Sequence, residues 1–226
     1  MNQKILVAGA TGRTGRIIIS QLLQHGIQPH ALVRDISTAK QILGEEVSYH
    51  QGDVRQVESL LSPMHGVDTV ISAIGSRAPV GKNSPKYIDY QGVANLLITA
   101  QTQHVRRFIL ISSIAVTNPA HPLNCFGKVL DWKLKGENVL RQSGVDYAII
   151  RPGGLKDTPG QKRSLIFDQG DHLMGTLSRE DLAEICLNAL DYPHRLKVTF
   201  EAIEEDHKRQ EINWIPLFAG FAQDKM

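Results

Sequence analysis

The stretch "LVAGATGRTGR" at residues 6–16 decides the fold. An apolar run leads into Gly9-x-x-Gly12-x-x-Gly15, and the helical pattern "RIIISQLLQHG" follows at once. Strand, glycine loop, helix is the order that a dinucleotide pyrophosphate requires. One glycine permits the tight turn, one lets the backbone approach the phosphates, and one lets helix and strand pack closely. The helix N-terminus adds unpaired N–H groups and a positive dipole end. Glycine spacing alone is weakly specific; here it heads a complete strand–helix series, which gives it weight. Gly9, Thr11, Gly12, Arg13, Thr14 and Gly15 are the first candidate cofactor-binding residues.

Outward from the loop, apolar runs alternate with helical patterns. Strands are expected over 4–8, 28–34, 46–53, 67–75, 106–115, 145–154 and 196–203. Helices are expected after the loop and over 37–44 (Ser37 as cap), 87–103, 126–143, 178–193 (Ser178 as cap) and in the closing "INWIPLFAGFAQ". Residues 155–177 are weakly patterned, and the charged "EEDHKRQE" reads as a solvated loop. Val/Ile/Leu runs without alternation mark strands buried on both faces. The expected fold is a single α/β domain over 1–226, a Rossmann-type doubly wound parallel sheet with helices on both faces. A small C-terminal lobe is expected from about 152–177 and 194–226.

Composition narrows the function classes. The chain has 226 residues, 42% hydrophobic and 21% charged, with a net charge of +2, too mild to argue for nucleic acid or an anionic membrane. Two scattered cysteines, Cys125 and Cys186, do not suggest a disulfide framework and favour a reducing compartment. There is no signal-peptide pattern and no run long enough to span a bilayer, so a cytoplasmic location is expected. The histidines show no metal-ligand spacing, and no metal is expected.

The second strand should end on an acidic residue if NAD is the ligand. It ends instead in "ALVRD", which puts Arg34 at that place. A guanidinium suits a ribose 2′-phosphate. With Arg13 in the loop facing the same ribose, the expected cofactor is NADP(H). The competing reading leaves Arg34 exposed and gives the hydroxyl to Asp35. Arg16, inside the first helix, reads as a solvated residue.

Further along stand "GDV" at 52–54, "AIG" at 73–75, "ISS" at 111–113, "RPGGL" at 151–155 and "SREDLA" at 178–183. In this order the motifs resemble the atypical short-chain dehydrogenase/reductase families, above all the NmrA-like and biliverdin reductase B/flavin reductase-like group. The resemblance covers about residues 3–203 and implies roles. Asp53 and Val54 border the adenine, although Asp53 equally reads as a cap after strand three. Ala73, Ile74 and Gly75 line the cofactor, Ser112 and Ser113 lie near the nicotinamide, and Pro152, Gly153, Gly154 and Leu155 pass beside it. A plain turn is the alternative for the last four. Arg179 either belongs to a structural cap or reaches the site.

Typical members carry Tyr-x-x-x-Lys, with the tyrosine as proton donor. Here Lys133 holds the family's lysine place, with Lys135 as second candidate, but Val129 stands where the tyrosine is expected. Acceptors that delocalise charge, such as flavins, quinones or conjugated tetrapyrroles, need no strong acid. Ser113 is then the candidate that orients the acceptor, and Lys133 the candidate for the cofactor ribose. His121 is a weak candidate acid and Trp132 a candidate pocket wall. The expectation is an NADPH-dependent reductase of a small or planar conjugated acceptor. The alternative is a non-catalytic redox sensor, regulator or assembly factor with a protein partner. An epimerase-like reading is weaker, because that family needs the tyrosine.

Overall fold

The computed structural model describes residues 3–192, 194 and 196–225; the expected helix limit at Pro193 and the chain end at Met226 lie outside the described residues. The chain runs β1 (Ile5–Ala8), α1 (Arg13–Gln24), β2 (Pro29–Val33), α2 (Ile36–Leu43), β3 (Ser48–Gln51), α3 (Leu61–Met64) and β4 (Thr69–Ser72). A π-helical turn, Lys86–Gly92, passes into α4 (Val93–Thr102). Then come β5 (Arg107–Ile111), α5 (Val129–Gln142), β6 (Asp146–Pro152), β7 (Gly154–Lys156), β8 (Arg163–Asp168), β9 (Thr176–Ser178), α6 (Arg179–Asp191), β10 (Lys197–Lys208) and α7 (Trp214–Gly220).

Eight strands form one sheet in the order β3-β2-β1-β4-β5-β6-β10-β8. All are parallel except β8, which pairs antiparallel with β10. Strand order reverses between β1 and β4, and at such a switch point the strand ends part to leave a ligand crevice. The unalternating strands are explained by their two faces. Ile5 and Val7 enter one core with α1 and α6, while Leu6 and Ala8 enter the other with α4 and α5. Every position of β1 is buried, and each large aliphatic there contributes roughly 1.5–3 kcal/mol. No helix of the described residues is long and apolar enough to cross a membrane.

Local chemistry sets the boundaries. Ser178 caps α6 as expected: its hydroxyl accepts the Asp181 N–H at 2.9 Å and donates to the Asp181 carboxylate at 2.7 Å. At α2 the cap is Asp35, not Ser37; its carboxylate takes the Thr38 N–H at 2.6 Å and the Ser37 hydroxyl at 2.8 Å. The helix expected from 126 starts at Val129, because Gly127 and Lys128 are left-handed, with φ of 58° and 59°.

The C-terminal segments divide. β7 and β9 form a separate two-stranded sheet, and α7 packs Phe218 and Trp214 against Phe200 and Phe167. β8 and β10 extend the main sheet instead. Of the charged stretch expected as a loop, Glu204–Lys208 form the end of β10, and Arg209, Gln210 and Glu211 follow it as irregular chain. Glu205–Lys208 are exposed there, so a polar sequence is compatible with strand pairing to β8.

Candidate functional site

The loop after β1 is shaped by two glycines. Gly9 has φ of 82°, and a Cβ there would stand 2.6 Å from the Ala73 carbonyl oxygen at the end of β4. A Cβ on Gly15 would stand 2.2 Å from the Gly9 carbonyl oxygen. Only bare backbone lets α1 start this close to the strand ends. Gly12 is the N-cap of α1 and supplies no side-chain bond, and the first turn carries no acid. The N-terminal N–H groups therefore point out unspent.

A cleft of about 580 Å³ opens in front of them. Of the expected residues, Gly9, Gly12, Arg13, Thr14, Arg34, Asp53, Val54, Ala73, Ile74 and Gly75 line it. Thr11, in the loop, and Gly15, in the first turn of α1, do not line it. Ser112, Ser113, Lys133, Pro152, Gly153, Gly154 and Leu155 do not line it.

Four arginines join Arg13 and Arg34 on its wall: Arg16, Arg55, Arg77 and Arg179. Arg16 is an exposed residue of α1, as expected, and it also borders the cleft. It lies three residues after Arg13, so both share one helix face, and helical side chains lean back toward the N-terminus, here over the cleft. Arg13 pairs with Asp157, which also holds Arg179 at 2.8 Å. Among the described residues Arg16 and Arg77 make no ion pair.

Asp53 faces inward to Arg55. Its carboxylate takes the Arg55 Nε–H at 2.9 Å and backbone N–H at 3.0 Å, and its own N–H goes to Ser59. Those guanidinium hydrogen bonds hold its carboxyl below the usual range, against the effect of burial. This arrangement is closer to the capping-turn alternative than to a carboxylate waiting for a ligand. Beside it, Leu32 and Val54 present apolar walls. Asp35, the competitor for the ribose hydroxyl, is spent on capping α2.

The other half of the expected site is organised differently. Lys133 Nζ lies 2.8 Å from Asp89, whose side chain is fully buried and whose second oxygen accepts the Ser76 N–H at 3.1 Å. Asp89 sits in the π-helical turn and was not identified from sequence: its partner is far along the chain, and no motif links them. Ser112 and Lys133 meet Asp89 and Ile74 around a cavity of about 10 Å³, roughly one water. Ile74 also lines the large cleft, so the two spaces adjoin. Ser113 is half-buried on the loop after β5. Asp171 fixes that loop by accepting the Ala115 N–H at 2.6 Å and the Thr117 N–H at 2.8 Å. Burial opposes ionisation of Asp171, but these bonds and Arg151 outweigh it and keep the carboxyl below its usual range.

The "RPGG" residues carry the chain from β6 into β7, where Gly154 and Leu155 pair with Thr176 and Leu177 of β9. They form a strand transition rather than a plain turn. His121 accepts the Leu123 N–H, a capping role. Trp132 stacks on Tyr90, with ring centres 5.8 Å apart, and Lys135 Nζ lies over the Trp132 ring, 4.2 Å from its centre.

The cleft fits a dinucleotide on its own terms. It combines an unspent helix N-terminus, six guanidinium groups against one carboxylate, and apolar walls. The Ser76 hydroxyl and Arg179 Nε, both on its lining residues, are buried without a hydrogen-bond partner among the described residues. Among the described residues no acidic, histidine or cysteine cluster could hold a metal.

Residues 9–193 match a family described as NAD(P)H-binding. An uncharacterized chloroplastic protein of Arabidopsis thaliana is 36% identical over 201 residues, covering 83% of this chain and 72% of the relative. Sanguinarine reductase of Eschscholzia californica is 30% identical over 229 residues, covering 83% of this chain and 84% of its own. A putative NAD-dependent epimerase/dehydratase from Bacillus halodurans shares the fold with a TM-score of 0.79 at 24% identity, over 96% of this chain and 99% of its own.

Proposed function

The chain belongs to the NAD(P)H-binding family, and on that premise we propose that it is an NADPH-dependent reductase of the atypical short-chain dehydrogenase/reductase kind, acting on a small or planar conjugated acceptor. The observation that carries the cofactor choice is the cleft wall, with six arginines and a single carboxylate that is already paired. That excess of fixed positive charge suits a ligand with a 2′-phosphate as well as a pyrophosphate.

The N–H groups at the start of α1 take the pyrophosphate. Arg34 and Arg16, which make no ion pair among the described residues, take the 2′-phosphate, and Leu32 and Val54 pack the adenine. Ile74 separates the cleft from the Lys133–Asp89 pair. Lys133, held by Asp89, supports the ribose end, and Ser113 orients the acceptor. The bound nicotinamide supplies hydride chemistry. With Val129 in the tyrosine's place, no strong acid stands by for an alkoxide, so the acceptor is one that delocalises charge. The 30% identity to a reductase over most of both chains supports this reading. The free thiols, Cys186 buried and Cys125 exposed, fit the cytoplasm or an equivalent reducing space.

The test has two parts. NADPH and NADH are titrated by calorimetry against the wild type and Arg34→Glu. The variant is expected to lower the NADPH/NADH affinity ratio by about tenfold or more; an unchanged ratio refutes the NADP assignment. NADPH oxidation is then followed with flavin, quinone and small carbonyl acceptors. Turnover above background supports the reductase. Tight NADPH binding with no turnover of any acceptor replaces it with the sensor or assembly-factor reading.

A further inference from the structure

Two loops, the first on the cleft's wall and the second packed against it, share an unusual composition. Residues 75–88 contain Arg77, Lys82 and Lys86 and no acid; residues 112–130 contain Lys128 and no acid. The loops touch: a Cβ on Gly127 would stand 2.2 Å from the Pro79 carbonyl oxygen, so Val80 and Phe126 flank one contact. Val80 is 77% exposed, Leu123 51% and Phe126 38%. Of the carboxylates nearest the loops, Asp89 is buried against Lys133, Asp131 accepts from the Asn124 amide, and Asp171 is turned onto the Ala115 and Thr117 N–H groups; against these, the segments carry Arg77, Lys82, Lys86 and Lys128.

We propose that this pair of loops docks on an anionic lipid surface, with Val80, Leu123 and Phe126 entering the interface and Lys82, Lys86 and Lys128 meeting the headgroups. Val80 stands on the first loop, and Leu123 and Phe126 stand on and just after the 3-10 turn Pro122–Cys125, with Lys82, Lys86 and Lys128 on the same two segments. The apolar side chains form neither a helix stripe nor a groove of the kind a folded partner fills. Single apolar residues ringed by long cations match the boundary of acyl chains and headgroups, where lysine stems lie along the apolar layer and their charges remain in the polar one. The chain's small net charge hides this patch because acids elsewhere balance it.

Arg77, Asn83 and Ile88 of the first loop line the cleft, so a loop pair seated on a membrane opens the site toward an acceptor dissolved in the bilayer. That consequence rests on the proposed reductase activity; the docking does not.

The test is flotation of the full chain with vesicles of phosphatidylcholine, with and without about one-third phosphatidylglycerol. Binding is expected to the anionic vesicles only, and to weaken strongly at high salt. Lys82→Glu with Lys86→Glu should weaken it by more than tenfold, at about fivefold per basic residue lost near the surface. Leu123→Ser with Phe126→Ser should weaken it by a similar factor while NADPH affinity stays unchanged, which shows that the variants fold. No binding to anionic vesicles overturns the proposal. So does full binding by the serine variant, which would mean that charge alone is at work. Equal capture by soluble polyglutamate overturns it in favour of an acidic protein partner. None of these outcomes bears on the cofactor assignment, which the NADPH titration reads separately.

Discussion

The two halves of the candidate site handle charge in opposite ways. In front of α1, six arginines crowd around a cleft with one paired carboxylate, and Arg16, Arg34 and Arg77 have no ion pair among the described residues. Beyond Ile74, Lys133 is matched to Asp89, and further in Glu137 receives both Arg151, at 2.7 Å, and Arg141, at 2.8 Å. Charges that are half in water persist unpaired at little cost, because solvent screens them. Buried charges lose that solvation and must be paired within the fold. The first half is therefore built to receive an anionic ligand. The second holds its electrostatics complete before any ligand arrives, and so acts by shape and position.

The sharpest way to break this contrast is at Glu137. Glu137→Ala strands the buried Arg151, and the expected loss is roughly 3–5 kcal/mol in urea denaturation. A loss as small as that of a surface substitution would mean that the second half is not an internally paired unit. On the cleft side, Gly15→Ala drives a methyl into the Gly9 carbonyl. About 1–3 kcal/mol of stability should go, together with most NADPH binding, read by thermal melting and calorimetry. An unaltered Kd would show that the loop tolerates a different path. Arg16→Ala removes one exposed guanidinium and leaves the fold intact. NADPH affinity should fall about three- to tenfold and NADH affinity should not move. Equal losses for both would place Arg16 on the pyrophosphate instead.

The smallest effect lies far from either half. His30 Nδ1 and His50 Nε2 are 2.8 Å apart, so one ring must accept. Burial first, then His50 and Lys4, push His30 down to about 4. An unfolded histidine titrates near 6.5, so between about 6.5 and 4 the unfolded chain binds the extra proton. The contribution is complete above pH 6.5 and is lost as pH falls toward 4. His30 is partly solvated, so the loss is on the order of 1 kcal/mol. His30→Gln should flatten the stability difference between pH 7 and pH 5; an unchanged slope would assign the acid sensitivity to other groups.

Most of the fold was legible because its signals are local. Unalternating apolar runs implied strands covered on both faces, and Ile5 to Ala8 fill both cores in turn. Ser178 and Asp181 are three residues apart and cap as they read. Strands β7 and β8 escaped notice because none of their residues is fully buried, and β9 because three residues, one of its two buried ones a serine, are too few to show an apolar period. At α2 two residues had capping chemistry, and backbone placement chose Asp35 over Ser37. The loop glycines and Arg34 were legible for the same reason: each acts at a fixed offset from a strand end. Arg16 was read as a solvated helix residue, and it is exposed; its place on the cleft wall was missed because nothing in the sequence shows which helix face meets the cleft. Arg55 and Arg77 were missed because they reach it from separate loops.

The sequence by itself determined the doubly wound sheet, the glycine loop that opens its crevice and the absence of the usual tyrosine. These depend on residue type, period and spacing within single elements, which the chain carries wherever it goes. Only the tertiary structure decided that six arginines converge, that Lys133 is matched to Asp89, and that two acid-free loops meet at Pro79 and Gly127. Electrostatic and contact energies depend on distance in space. Residues 44 positions apart, such as Asp89 and Lys133, acquire a distance only once the chain has packed.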